Sequence, residues 1–91
     1  MLRLAQTNTF KKQLKLCRRR GWDMTELDFV VTMLQKEQPL PEKYLDHSLK
    51  GDRMGQRDCH IRPDWVLIYR IRGDVMVLQL LETGSHSDLS L

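Results

Sequence analysis

Arg57-Asp58-Cys59-His60-Ile61-Arg62-Pro63-Asp64-Trp65-Val66-Leu67-Ile68-Tyr69-Arg70-Ile71-Arg72-Gly73-Asp74-Val75-Met76-Val77-Leu78-Gln79-Leu80-Leu81 is the stretch that decides the fold. From Arg57 to Arg62 the residues alternate: Cys59 and Ile61 face one way, Asp58 and His60 the other, which is the two-residue period of a strand. Pro63-Asp64 makes a turn. Trp65 to Ile71 is apolar on nearly both faces, as in a central strand covered on both sides. Arg72-Gly73-Asp74 turns the chain into a further strand from Val75 to Leu81, an antiparallel hairpin.

Upstream, the period changes to that of helices. Phe10, Leu14 and Cys17 place one apolar stripe opposite lysines and arginines, with Thr7 or Thr9 as cap and Gly21 as stop. Arg18-Arg19-Arg20 falls in the last turn, where cations complement the helix dipole. Asp23 caps a second helix, with Glu26 reaching back, and Leu27, Val30, Val31 and Leu34 form its apolar face. That helix ends before Gln38-Pro39. Ahead of both, Leu2 and Leu4 alternate with Arg3 and Gln6 in a short first strand. Residues 38–56 contain Pro39, Pro41, Gly51 and Gly55 with no lasting period, so a long functional or mobile loop is expected there.

The order β-α-α-β-β-β predicts an α+β fold: a small, mainly antiparallel sheet with an N-terminal helical hairpin packed on one face. Helices on the Cys59 face leave the Asp58/His60 face open. Trp65 and Tyr69 are expected in the core, as alternate apolar residues of a central strand usually are.

A chain of 91 residues implies a single domain over residues 1–91 with a thin core, to which a partner could add much stability. No apolar run reaches about 18 residues, so no transmembrane span is expected. The first residues lack the apolar region of a signal peptide, which points to the cytoplasm. Cys17 and Cys59 fall on apolar faces and make neither a disulfide framework nor a CxxC clip.

The net charge of +3 hides an asymmetry. Residues 1–20 carry Arg3, Lys11, Lys12, Lys15, Arg18, Arg19 and Arg20 and no acid, whereas residues 21–50 lean acidic. Such a block suits phosphates or an acidic protein partner; the plainer alternative is a solvated helix face.

The three histidines, His47, His60 and His86, lie among Asp46, Asp58, Asp64 and Asp88. Histidine exchanges protons near neutral pH, so together they look like one acid–base site. Unrelated surface histidines are the bland alternative. A zinc site built from the same three imidazoles is a further one, though no HExxH spacing supports it.

Three ordered blocks carry a resemblance. Asp46-His47-x-Leu49-x-Gly51, then Arg57-Asp58-x-His60-x-x-Pro63-Asp64-Trp65-x-Leu67-Ile68-Tyr69, then Thr83-Gly84-Ser85-His86-Ser87-Asp88-Leu89 resemble the YafQ family of RelE-like toxins over essentially the whole chain. The resemblance implies the toxin of a type II toxin–antitoxin pair, an endoribonuclease that enters the ribosomal A site and cuts mRNA there; the acid–base chemistry set out below needs no metal or cofactor. It implies as partners the ribosome, mRNA and an acidic, DinJ-type antitoxin that wraps the toxin, in a heterotetramer seated on operator DNA through the antitoxin. His47, Asp58, His60, Asp64 and His86 are the site residues it implies.

RNA can cut itself through its own 2′-OH if a base, an acid and cations are supplied. His86 is expected as the acid and His60 or His47 as the base. Asp58 and Asp64 are expected to orient imidazoles, because an unperturbed Asp, with a pKa of about 3.9, is a poor base. Arg57, Lys50 and Arg53 are candidate phosphate contacts. The chain also departs from the family pattern: Arg53 and Gln56 stand where members have Trp and another aromatic, Glu82 stands in place of Arg, and Leu89-Ser90-Leu91 replaces a Leu-Phe ending. These departures leave a second expectation, a weakened or inactive homologue that binds antitoxin or ribosome without cutting.

Overall fold

Thr7 begins the helical part of the fold. In the computed structural model, which describes residues 1–91, its hydroxyl accepts from the Phe10 amide at 2.9 Å and donates to the Leu81 carbonyl at 2.8 Å. It therefore caps α1 (Asn8–Arg19) and ties its start to the last strand. The stop comes as expected at Gly21, whose φ of 79° lets the chain reverse. Asp23 then caps α2 (Met24–Gln35) by accepting from the Thr25 amide at 3.0 Å. Glu26 does not reach back to the cap. It lies 3.5 Å from the Arg62 guanidinium and accepts from the Tyr44 hydroxyl at 3.5 Å, because tertiary cations and donors outcompete the local amide.

Five strands form one sheet: β1 (Arg3–Gln6), β2 (His47–Ser48), β3 (Arg57–Arg62), β4 (Trp65–Arg72) and β5 (Val77–Gly84), in the order β1-β5-β4-β3-β2. β1 runs parallel to β5, and every other pair is antiparallel. This is the expected α+β architecture, with three corrections, the third concerning the face away from the helices. The segment 38–56 is not one long loop. It holds the edge strand β2 and two single 3-10 turns, Glu42–Tyr44 and Gly51–Arg53, and is anchored by buried Tyr44. A two-residue bridge has no period to read in the sequence. The last strand starts at Val77 and runs on to Gly84, past the expected end at Leu81. Thr83 pulls it on: its hydroxyl accepts from the Trp65 indole N–H at 2.9 Å and donates to the Val66 carbonyl at 2.8 Å.

The helices cover the Cys59 face as predicted. Phe10, Cys17, Leu27, Val30 and Leu34 meet Cys59, Ile61, Trp65, Leu67 and Tyr69 in one core, and Trp65 and Tyr69 are fully buried. The opposite face is not open. Val66 and Ile68 are capped by Leu89, with Leu49 and Leu81 alongside, and Asp58 is only 4% exposed. Burying Leu89 contributes about 1.5–3 kcal/mol, enough to hold residues 85–91 back against the sheet.

Gly84 makes that return possible. Its φ is 155°, and a Cβ there would lie 2.8 Å from Asp88 Oδ2. Gly84→Ala should therefore lower stability by about 1–3 kcal/mol, the usual cost of such a backbone outlier. Thermal or urea unfolding checks this; an unchanged midpoint would mean that the turn tolerates a side chain.

Candidate active site

The register of the sheet assembles the site. His47 on β2 pairs directly with Asp58 on β3, and His60 follows two residues later on the same face. The Pro63–Asp64 turn brings Asp64 to the end of β3, where the returning segment delivers His86. The result is a row of three imidazoles: ring centres lie 6.5 Å apart for His47 and His60, and 5.1 Å apart for His60 and His86. All five residues singled out by sequence as His47, Asp58, His60, Asp64 and His86 are thus brought together.

Each ring has its own holder. His47 Nδ1 lies 2.7 Å from the Leu45 carbonyl, which can only accept, so Nδ1 carries the proton and Nε2 is the free lone pair of the neutral ring. His86 is gripped twice by one oxygen: its amide reaches Asp64 Oδ1 at 2.9 Å and its Nδ1 reaches the same atom at 2.6 Å. These two bonds, the amide first, hold the Asp64 carboxyl below the usual carboxylate range. His60 Nε2 lies 3.4 Å from Asp58 Oδ1, and His47 Nδ1 lies 3.9 Å from it. That oxygen is buried and makes no hydrogen bond, and the two imidazoles are the basic side chains within 4.0 Å of it.

His86 sits on a segment that is held in place. Asp88 accepts from both Arg20 guanidinium nitrogens, at 2.6 and 3.0 Å, and from the Ser85 amide at 2.8 Å. The Arg20 pair, followed by the Ser85 amide, pulls the Asp88 carboxyl far below its ordinary range. With Leu89 buried as well, the backbone around His86 is pinned at two points. Sequence reading missed this role of Arg20, which looked like a helix-end cation.

The expected phosphate contacts divide. Lys50 is exposed and makes no ion pair. Arg57 is half-committed, lying 3.3 Å from both Asp46 and the Tyr69 hydroxyl, which itself donates to Asp46 at 2.6 Å. Burial, with Asp46 beside it, pushes the Tyr69 hydroxyl up, so it stays a donor. Arg53 is paired with Glu82 at 2.5 Å and bonded to Gln56 at 3.3 Å. Three of the positions at which the chain departs from the resembled pattern therefore meet in space, and Arg53 is neutralised there instead of facing a phosphate. Cys17 and Cys59 are buried free thiols, and burial drives the Cys59 thiol upward, so neither serves as a nucleophile.

The chain is similar to known proteins along nearly its whole length. Residues 2–91 match the family described as bacterial toxin of type II toxin-antitoxin system, YafQ. The mRNA interferase toxin YafQ of Escherichia coli strain K12 is 40% identical over 81 residues, 88% of this chain and 86% of that protein. Among solved structures, a metal-bound toxin from Helicobacter pylori superposes with a TM-score of 0.93 at 43% identity, covering 98% of this chain and 99% of that one. The toxin of the E. coli DinJ-YafQ complex superposes with a TM-score of 0.88 at 36% identity, covering 98% of both chains.

Proposed function

The chain belongs to the YafQ family of toxins of bacterial type II toxin–antitoxin systems, and from that premise we propose that it is an mRNA interferase that cuts message in the ribosomal A site. The nucleophile is the RNA's own 2′-OH, and the protein supplies acid, base and charge. The observation that carries this reading is the row of imidazoles, whose outer members are each fixed through Nδ1 and so keep Nε2 for the substrate.

In-line displacement puts the attacking 2′-oxygen and the leaving 5′-oxygen on opposite sides of phosphorus, so base and acid must flank the phosphate. His47 and His86 flank His60. His47 Nε2 takes the proton of the 2′-OH as the 2′-oxygen–phosphorus bond forms. His86 gives a proton to the 5′-oxygen as its bond to phosphorus breaks. The products are a 2′,3′-cyclic phosphate and a 5′-OH. His60, backed by Asp58, faces the crowded phosphate oxygens between them, with Lys50 and part of Arg57 at the rim. Proton transfer is worth roughly 10²–10⁴-fold per group, and fixed charge can add more.

Two similar structures, both of Helicobacter pylori toxins, are described as copper-bound and metal-bound. In this chain no three His, Cys, Asp or Glu side chains converge on a point that could hold an ion, and the mechanism routes no step through one. The E. coli relative is seen in complex with DinJ, and an acidic antitoxin of that type suits the acid-free block of residues 1–20. Operator binding, as a heterotetramer, would come through that antitoxin. No helix is long and apolar enough to cross a membrane; action on translating ribosomes places the protein in the cytoplasm.

Induction of the protein alone should halt amino-acid incorporation, with breaks mapping only to translated messages, and co-expression of the acidic product of a neighbouring gene should restore growth. Unimpaired synthesis in the presence of abundant soluble protein would overturn the proposal. It would instead favour a binding module without cleavage, the reading supported by the loss of Arg53 to Glu82.

A further inference from the structure

Beside the imidazole row, between the α1–α2 connection and the β3–β4 turn, lies a cavity of about 390 Å³ lined by Gly21, Trp22, Asp23, Arg62, Asp64 and Trp65. The proposed proton transfers use none of these except Asp64, which belongs to both places: it lines the cavity and holds His86 through Oδ1 alone. Whatever enters the cavity therefore sits one side chain away from the proton donor.

The walls are aromatic and stiff. The Trp22 ring centre is 5.1 Å from that of Trp65, at 48°. Trp65 is locked by its bond to Thr83. The Arg20 guanidinium lies 5.0 Å from the Trp22 ring centre while its nitrogens hold Asp88. Trp22 is only half-buried, although large aromatics are usually taken into the core.

The charge at the rim chooses the ligand. Arg62 stands 3.5 Å from Glu26 and 4.0 Å from Asp23, so its charge is shared with two carboxylates. Asp23 is held below the usual carboxylate range by the Thr25 hydroxyl and amide, and Asp64 by the His86 amide and ring, so both are ionised at neutral pH. Such a rim repels phosphate. It welcomes a flat π surface that carries N–H donors, because carboxylates accept from the exocyclic amino groups of bases and an indole stacks on any of them.

We propose that this cavity receives one nucleobase of the message next to the cleaved bond, and that it favours adenine, cytosine or guanine, which carry an amino group, over uracil, which does not. The proposal rests on the ribonuclease function above and names a base subsite for it.

Single-turnover cleavage on programmed ribosomes tests it, with the codon and its neighbours scanned by abasic nucleotides. One abasic position should slow wild-type cleavage by roughly 5- to 150-fold, the range expected when one base loses its stacking partner. At that position wild type should cut A, C and G faster than U, a comparison that needs no altered protein. Trp22→Leu should be slowed to a similar extent on intact message, and the abasic substitution should then slow it no further. Thermal melting of Trp22→Leu identifies any loss of fold, in which case the wild-type base preference decides. If U is cut as fast as the other bases at every position, or if the two changes simply multiply, the subsite is wrong while the ribonuclease stands. If wild type cuts no message at all, both proposals fall.

Discussion

A message with hydrogen in place of the 2′-OH at the cleaved nucleotide will not be cut. The reason lies in what the site offers. Its cysteines are buried, and its row of imidazoles is suited to moving protons. In the proposed reaction the nucleophile is the message's own 2′-OH, and removing it removes that reaction rather than slowing it. Loss of general-base help alone would cost roughly 10²–10⁴-fold; loss of the nucleophile should take cleavage to the background of the assay. The intact message should give a 2′,3′-cyclic phosphate and a 5′-OH, and cutting should persist in excess chelator. Ribosomes programmed with paired ribo- and deoxy-substituted messages provide the measurement. Cutting of the deoxy-substituted message would sink the mechanism, and abolition by chelation on ribosomes that still translate would sink its metal-free form.

His86→Ala should slow cleavage by roughly 10²-fold or more, the larger loss among the three histidines, and leave the fold intact. The separation of the two effects follows from how residues 85–91 are held. Asp88 on Arg20, Ser85 on the Asp88 amide at 3.0 Å and Leu89 under the sheet all act on the backbone around His86 and do not use its ring. Removing the ring of a partly exposed residue should change stability by only about 0.5 kcal/mol. His60→Ala is different. It strips a basic ring 3.4 Å away from the buried Asp58 oxygen, so it should lower the melting temperature as well as the rate. Rates across a pH series sharpen the assignment: the alkaline fall in rate that reports a required acid should be missing in His86→Ala. A near-native rate for this variant would place the proton donor elsewhere.

The Arg20–Asp88 pair shows why the fold matters to the chemistry. It joins residues 68 positions apart and fixes the segment that bears the proposed acid. The same long reach explains Arg53, whose partner Glu82 is 29 positions away. Neither pairing leaves a mark in the local pattern. By sequence, Arg20 was a helix-end cation and Arg53 a phosphate contact. In space, one is a clamp and the other is neutralised.

The sequence alone determined whatever depends on neighbours a few residues apart. Period two in Arg57–Arg62 and period 3.6 from Phe10 to Leu34 record which faces are apolar, and apolar faces must be buried, so the α+β class and the helix-covered Cys59 face follow. The clustering of His47, Asp58, His60, Asp64 and His86 was legible through the resemblance of their motifs. Tertiary structure alone decided what covers the second face, where β5 ends, that a two-residue strand carries His47, and which charges are paired. A pattern along the chain tells that a face is hidden but not what hides it, because the covering group, Leu89 here, and the ion-pair partners are chosen by distance in space.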